Sequence, residues 1–211
     1  MTELGRRERK RQEKLDHIAQ TAHRLFEAHG YDAVTMEQLA VAADVAKGTL
    51  YSHFPVKEAV LAHWLHMQLE QDLQRLLPLC LAEGSFKRGM RKLLDASASG
   101  LEQHREYMLP YLRYRFTHVG EPQANANDAR SDLVRAYFAL ITAGQKSGEL
   151  REAQPAQRLA LFFHFLYLAA LMRWLTDAKS DLHEEFAAAL DLFLKGSLKA
   201  STPTGKRASK S

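Results

Sequence analysis

The stretch Ala46–Val60, AKGTLYSHFPVKEAV, decides the fold. Leu50 and Phe54 stand four apart, which puts both on one side of a short helix, and Pro55 cannot continue that helix's hydrogen-bond ladder. Lys47, Thr49, Tyr51 and His53 are left on the other faces, with Gly48 allowing a second backbone to come close. Ammonium, hydroxyl, phenol and imidazole groups all suit phosphate oxygens and base edges. Spacing alone leaves two readings open: a helix that grips nucleic acid, or a polar helix on the surface of a bundle.

The residues upstream supply two partner helices. Leu15, Ile18, Ala19, Ala22, Leu25 and Phe26 fall on one helical face, and Gly30 sits just beyond its end, where a left-handed residue is easiest for glycine. Thr35 and Gln38 form a capping box for a second helix, whose apolar side is Met36, Leu39, Ala40 and Ala43. Asp44-Val45 then makes a tight turn into the opening stretch. Three short helices with such a turn between the last two make a helix-turn-helix, whose second helix enters the DNA major groove through its N-terminal residues. Here those residues are Lys47, Gly48 and Thr49.

The run Ile18–Ala40, IAQTAHRLFEAHGYDAVTMEQLA, and the pattern Gly48-Thr49-Leu50-Tyr51 followed by His53-Phe54 and Lys57-Glu58 resemble the TetR family of bacterial transcription regulators. The likeness covers roughly residues 14–61, and GQKSGELR at Gly144–Arg151 resembles part of the family's effector domain less specifically. The resemblance implies that Lys47, Gly48 and Thr49 approach base edges or adjacent phosphates. It implies backbone contacts for Tyr51 and His53, phosphate binding for Lys57, and phosphate contact at Thr35 and Gln38. Leu50 and Phe54 match the family's core positions. Where the family has Gly-Val-Ser, this chain has Asp44-Val45-Ala46. Asp tolerates a left-handed turn better than most residues. A lost serine cap costs about 0.5–2 kcal/mol, and Asp44 is expected to compensate by accepting a bond from a nearby amide.

From Lys57 a longer helix carries Leu61, Leu65, Leu69 and Leu73 at four-residue spacing. Further helical segments fall near 85–102, 104–117, 128–147, 155–176 and 181–198, and no stretch shows the sustained two-residue alternation of a strand. The fold class is all-α, with about nine helices: an N-terminal three-helix helix-turn-helix domain, then a larger helical ligand-binding and dimerisation domain. The expected boundaries are a flexible basic arm over 1–13, the DNA-binding domain over 14–60 (helix-turn-helix about 36–55), an effector and dimerisation domain over 61–198, and a disordered tail over 199–211.

Bulk properties fit this plan without proving it. Hydrophobic residues make up 46% of 211, enough for a sizeable core. The net charge of +4 decides nothing, because residues 1–60 hold nine Lys or Arg and nine Asp or Glu. The arm residues Arg6, Arg7, Arg9, Lys10 and Arg11 add phosphate attraction or simply solubility. The single Cys80 allows no intrachain disulfide, which suits a reducing cytoplasm. The N-terminus lacks the apolar run of a signal peptide. The apolar run Leu159–Met172 would span roughly 21 Å, short of a bilayer's ~30 Å, so it reads as a buried helix and no membrane partner is expected.

Candidate ligand-lining residues are Trp64, His66, Met67, Tyr107, Met108, Tyr111, Tyr114, Phe116, Tyr137, Phe138 and Phe165, around a mostly apolar pocket. Arg105, Arg113 and Arg115 read as a solvated or salt-bridged face, with contact to an acidic ligand as the alternative, and Pro110 should kink its helix. The candidate dimer surface is Leu159, Phe162, Phe163 and Leu166 with Phe186, Leu190 and Phe193, which the resemblance implies would form a four-helix bundle with their copies. His63 and His66 lack a third ligand at fixed spacing, and no phosphate loop, dinucleotide fingerprint or nucleophile elbow is present. The expectation is no enzyme, no cofactor and no metal, but a homodimeric regulator of double-stranded operator DNA, a repressor released by a small apolar effector. A ligand-independent regulator, an activator or a helical interaction protein remain the alternatives.

Overall fold

The computed structural model describes residues 3–117 and 132–197, and among them the chain forms nine helices. They are α1 Glu3–His29, α2 Met36–Ala42, α3 Lys47–His53, α4 Lys57–Leu81, α5 Phe86–Gln103, α6 Arg105–Thr117, α7 Asp132–Lys146, α8 Ala156–Thr176 and α9 Leu182–Ser197. The expected tail lies outside the described residues, as does the expected start of the segment near 128.

The expected flexible arm is corrected: from Glu3 onward it is the first part of α1. No Gly or Pro stands between Arg6 and His29, and the charges alternate in sign at helical spacing. Arg9 pairs with Glu13 at 3.5 Å and Arg11 with Glu8 at 3.4 Å, each worth a few tenths of a kcal/mol to an exposed helix.

Gly30 closes α1 with φ of 82°, its N–H donating to the Phe26 carbonyl at 2.8 Å. Thr35 caps α2 as the sequence implies: the Gln38 N–H donates to Thr35 Oγ1 at 3.2 Å, and the Thr35 N–H donates to Gln38 Oε1 at 2.8 Å. Asp44 takes the left-handed turn with φ of 50°. Ala46 begins α3 with no side-chain cap bond, so Asp44 contributes its backbone conformation and the expected compensating bond is not made. Leu50 and Phe54 are buried with Ile18, Ala22, Phe26, Leu39 and Ala40. That apolar contact fixes the angle at which α3 leaves the turn.

Helix α4 runs 25 residues, through Pro78, and serves both halves of the molecule: it packs on α1 and also on α5, α6 and α7. Near its far end α5 comes unusually close. A Cβ at Gly89 would lie 2.4 Å from the Cys80 carbonyl oxygen, so only glycine permits this approach. The Cys80 thiol is buried there, and burial raises its pKa. The start of α5 is tied down from a distance, as Glu149 accepts from the Phe86 N–H at 3.0 Å and from Ser85 Oγ at 3.1 Å.

Helices α7, α8 and α9 pack together behind α5. With 21 residues, α8 is longer than its apolar run suggested and has the length and composition to cross a membrane. Its apolar surface is instead spent partly within the fold, where Ala160, Phe163, Tyr167, Leu168, Leu171 and Trp174 are buried. The candidate dimer set divides here. Phe163, Phe186, Leu190 and Phe193 are core, whereas Phe162 stays 56% exposed. Leu159 and Leu166 are partly buried against the core.

Buried His164 gives the fold a pH dependence. Burial, and after it the charge of Arg115, push its imidazole down to about 4 from an ordinary 6.5. The unfolded chain therefore binds more protons between those values, and stability falls as pH falls from about 6.5 to about 4, by on the order of 3 kcal/mol. Burial lowers His23 as well, in the same sense. Thermal denaturation across this range is expected to show that slope, flattened in His164→Phe.

Candidate DNA-binding face and effector groove

Helix α3 presents its N-terminal end outward. The Lys47 side chain is 63% exposed and Tyr51 44%, Gly48 is also exposed, and Thr49 is half-buried. A Cβ at Gly48 would meet nothing within 4 Å, so packing does not require glycine there, and its smallness leaves room for an incoming backbone. His53, at the other end of α3, is half-buried. Its pKa is lowered by burial first and then by the charges of Arg11 and Lys14, which sets the basic side of α1 beside the end of α3.

Glu37, on α2, is the residue that sequence reading missed. Its Oε1 accepts from the Tyr51 hydroxyl at 3.3 Å and lies 3.7 Å from Lys47 Nζ. The Tyr51 pKa is raised, by desolvation first and then by Glu37, so the phenol remains a donor at neutral pH. One carboxylate thus occupies both groups that the sequence assigns to phosphate and base edges. Nothing local signals this, because Glu37 and Tyr51 are fourteen residues apart. Replacing Glu37 with Gln is expected to raise affinity for duplex DNA about two- to fivefold at low salt, since exposed pairs are weak. Fluorescence anisotropy at several salt concentrations measures it.

Thr35 and Gln38 are engaged with each other in the capping box. Lys57 does something the sequence did not suggest: its Nζ donates to the carbonyls of Tyr31 at 2.6 Å and Val34 at 2.9 Å, and sits 4.3 Å over the Tyr31 ring. The ammonium pins the loop between α1 and α2, so a phosphate would have to compete with those carbonyls.

Between α4 and α5 lies a groove of about 620 Å³. Leu65, Leu69, Leu73, Leu76 and Leu79 form one wall, and Ala96, Ser97, Ser99 and Gly100 form the other, with Met108 and Leu133 at the inner side and His104 also lining it. The volume exists because small side chains of α5 face a row of leucines. Of the candidate lining residues only Met108 is among those that form the groove.

The other candidates have different places. Trp64 and Tyr107 are buried in a cluster that joins α1 to α4 and α6. The Trp64 ring stacks on His23 of α1 at 3.5 Å and 8°, and His104 meets the same indole edge-on at 5.0 Å. Tyr107 touches Phe26 and Tyr31 at 6.2 Å each. His66 hydrogen-bonds with the Tyr111 hydroxyl at 3.0 Å, and Arg115 donates to that hydroxyl at 3.1 Å. Met67 and Phe138 pack against the core, as Tyr114 does, whereas Phe116 is exposed. Tyr137 is fully buried, and Phe165 is 56% exposed on the outer side of α8. Arg105 covers Trp174 at 4.0 Å and donates to its carbonyl. His63 bonds Asp16 at 2.7 Å and so ties α4 to α1.

The family model for bacterial regulatory proteins of the tetR family matches residues 18–63. The HTH-type transcriptional regulator TcmR of Streptomyces glaucescens is 30% identical over 197 residues, 89% of this chain and 85% of that protein. The uncharacterized HTH-type transcriptional regulator YuxN of Bacillus subtilis is 29% identical over 49% of this chain, a match spanning only 35% of its own length. Among solved structures, Thermus thermophilus FadR, a TetR-family transcriptional repressor in complex with lauroyl-CoA, superposes with a TM-score of 0.77 at 27% identity, over 91% of this chain and 99% of that one.

Proposed function

This chain belongs to the TetR family of bacterial regulatory proteins, and on that premise we propose that it is a repressor released from its operator by an apolar chain-like ligand. It is a DNA-binding transcriptional regulator. The single observation that carries the ligand-responsive reading is the path from the groove to α1. His104 lines the groove, stands edge-on against Trp64, and Trp64 stacks on His23 of α1. A ligand that pushes α5 from α4 displaces His104, and the rigid ring stack passes that shift to the helix on which α2 and α3 pack. The ligand acts by binding more tightly to the arrangement with the wrong operator spacing.

The lining favours a long apolar chain, and the lauroyl-CoA held by Thermus thermophilus FadR supports an acyl compound. The active species is a homodimer in the bacterial cytoplasm, with two copies of α3 set to meet half-sites about 34–36 Å apart or a multiple of that. Lys47, Gly48, Thr49 and Tyr51 make the groove and backbone contacts, while Thr35, Gln38, His53 and Lys57 add to the phosphate clamp.

The test is operator-DNA anisotropy with dodecanoate and lauroyl-CoA added separately. Release by either chain compound, with a change in Trp64 fluorescence, supports the reading. Unchanged DNA affinity with both would refute it.

A further inference from the structure

Among the described residues, a group of buried polar side chains on α7 and α8 is left without hydrogen-bond partners. His164 is 6% exposed, and neither of its ring nitrogens has a hydrogen-bond partner among the described residues. Tyr137 is fully buried, and its hydroxyl likewise has none. Their ring centroids are 6.4 Å apart, and Tyr167 stacks beside His164 at 6.2 Å and 13°. The Tyr167 hydroxyl bonds Ser97 Oγ at 2.7 Å, and Ser97 itself lines the groove. Leu133, one turn before Tyr137 on α7, lines it too. Ser97 and Leu133 thus link the groove's lining to the helices that carry these donors.

Burying hydrogen-bonding groups without partners is unfavourable, and an all-apolar core would avoid it. A site built only for a hydrocarbon tail would place Phe or Leu at both positions. Histidine and tyrosine here offer a ring N–H and a phenolic O–H side by side. The imidazole is neutral at pH 7, being held down to about 4 by burial and then by the Arg115 charge. That same positive charge favours an anion next to the ring.

We propose that the effector is an apolar chain ending in a carboxylate, which enters the groove head first, passes Ser97, and is received by His164 and Tyr137. The proposal rests on the groove being the effector site. It reverses the orientation an acyl-CoA would need, since a coenzyme head too large for the groove would leave the methyl end facing the donors.

Calorimetric titration with dodecanoate and with lauroyl-CoA tests this in wild type, Tyr137→Phe, His164→Phe and Leu69→Trp, the last filling the groove. Wild type is expected to bind dodecanoate more tightly than lauroyl-CoA. Each of the two polar-site variants is expected to lose about tenfold in dodecanoate affinity while melting at a higher temperature, because an unsatisfied buried group has gone. A merely structural role would give the opposite sign in melting temperature. Should both variants bind dodecanoate as wild type does, while Leu69→Trp still abolishes binding of either compound, the buried carboxylate site is wrong and the groove stands. If Leu69→Trp leaves binding intact, or neither compound binds wild type, the groove reading falls and the proposal with it.

Discussion

Changing Lys47 and Tyr51 together to alanine is expected to lower operator affinity about a thousandfold while leaving the fold intact. Both side chains are exposed at one end of α3, and their only described tertiary polar partner is Glu37, so their loss removes little from the interior. A dimer loses four contacts, and at about 1 kcal/mol or more each the sum reaches roughly three orders of magnitude. Only the two Lys47 ammoniums displace counterions, the Tyr51 phenol being neutral, so with phosphate contacts the slope of log affinity against log salt becomes shallower by about 2. Circular dichroism should show unchanged helicity and melting. A double variant that still binds operator with the wild-type salt slope would mean that another face meets the DNA.

Converting Phe162 and Phe165 to glutamate is expected to split the dimer and, with it, operator binding. Both are 56% exposed on α8, within reach of exposed Leu161 and Met172 on the same helix, and Leu192 of α9 is 61% exposed. Apolar groups of this size left outward on neighbouring helices are where the second copy is expected to pack. Four carboxylates brought together at a two-fold interface would be both desolvated and mutually repelling. Sedimentation should report a particle near the 23.9 kDa of one chain. DNA affinity should fall by orders of magnitude, because each half-site is then held alone. A variant that remains dimeric would move the interface elsewhere.

The helix-turn-helix was legible because local physics specifies it. Leu50 and Phe54 show their face by spacing, Thr35 and Gln38 announce a helix start, and Gly30 and Asp44 stand where the chain turns left-handed. Each signal lies within a few residues of what it determines. The outward face of α8 was only half legible, for α8 is apolar nearly all round and such a helix gives no clue to which side meets the core. Phe163 turned inward and Phe162 outward, though they are adjacent.

The groove was hidden for a different reason. Large rings fill space, and Trp64, Tyr107 and Tyr137 are all buried in packed clusters. Space is left by what is small, and the relevant signal was the run Ala96-Ser97-Ala98-Ser99-Gly100 opposite the leucine row of α4. Glu37 and Lys57 escaped because their partners lie 14 and more than 20 residues away in sequence. The turn between α2 and α3, and the packing of α4 on α1, bring them together.

The most direct measurement of the central claim is a genomic footprint of the purified protein, run beside the Lys47→Ala/Tyr51→Ala variant. The account predicts discrete protected sites, each with two inverted half-sites centred about 34–36 Å apart or a multiple of that, all lost in the variant. No protected sites, or sites that the variant protects equally well, would contradict it.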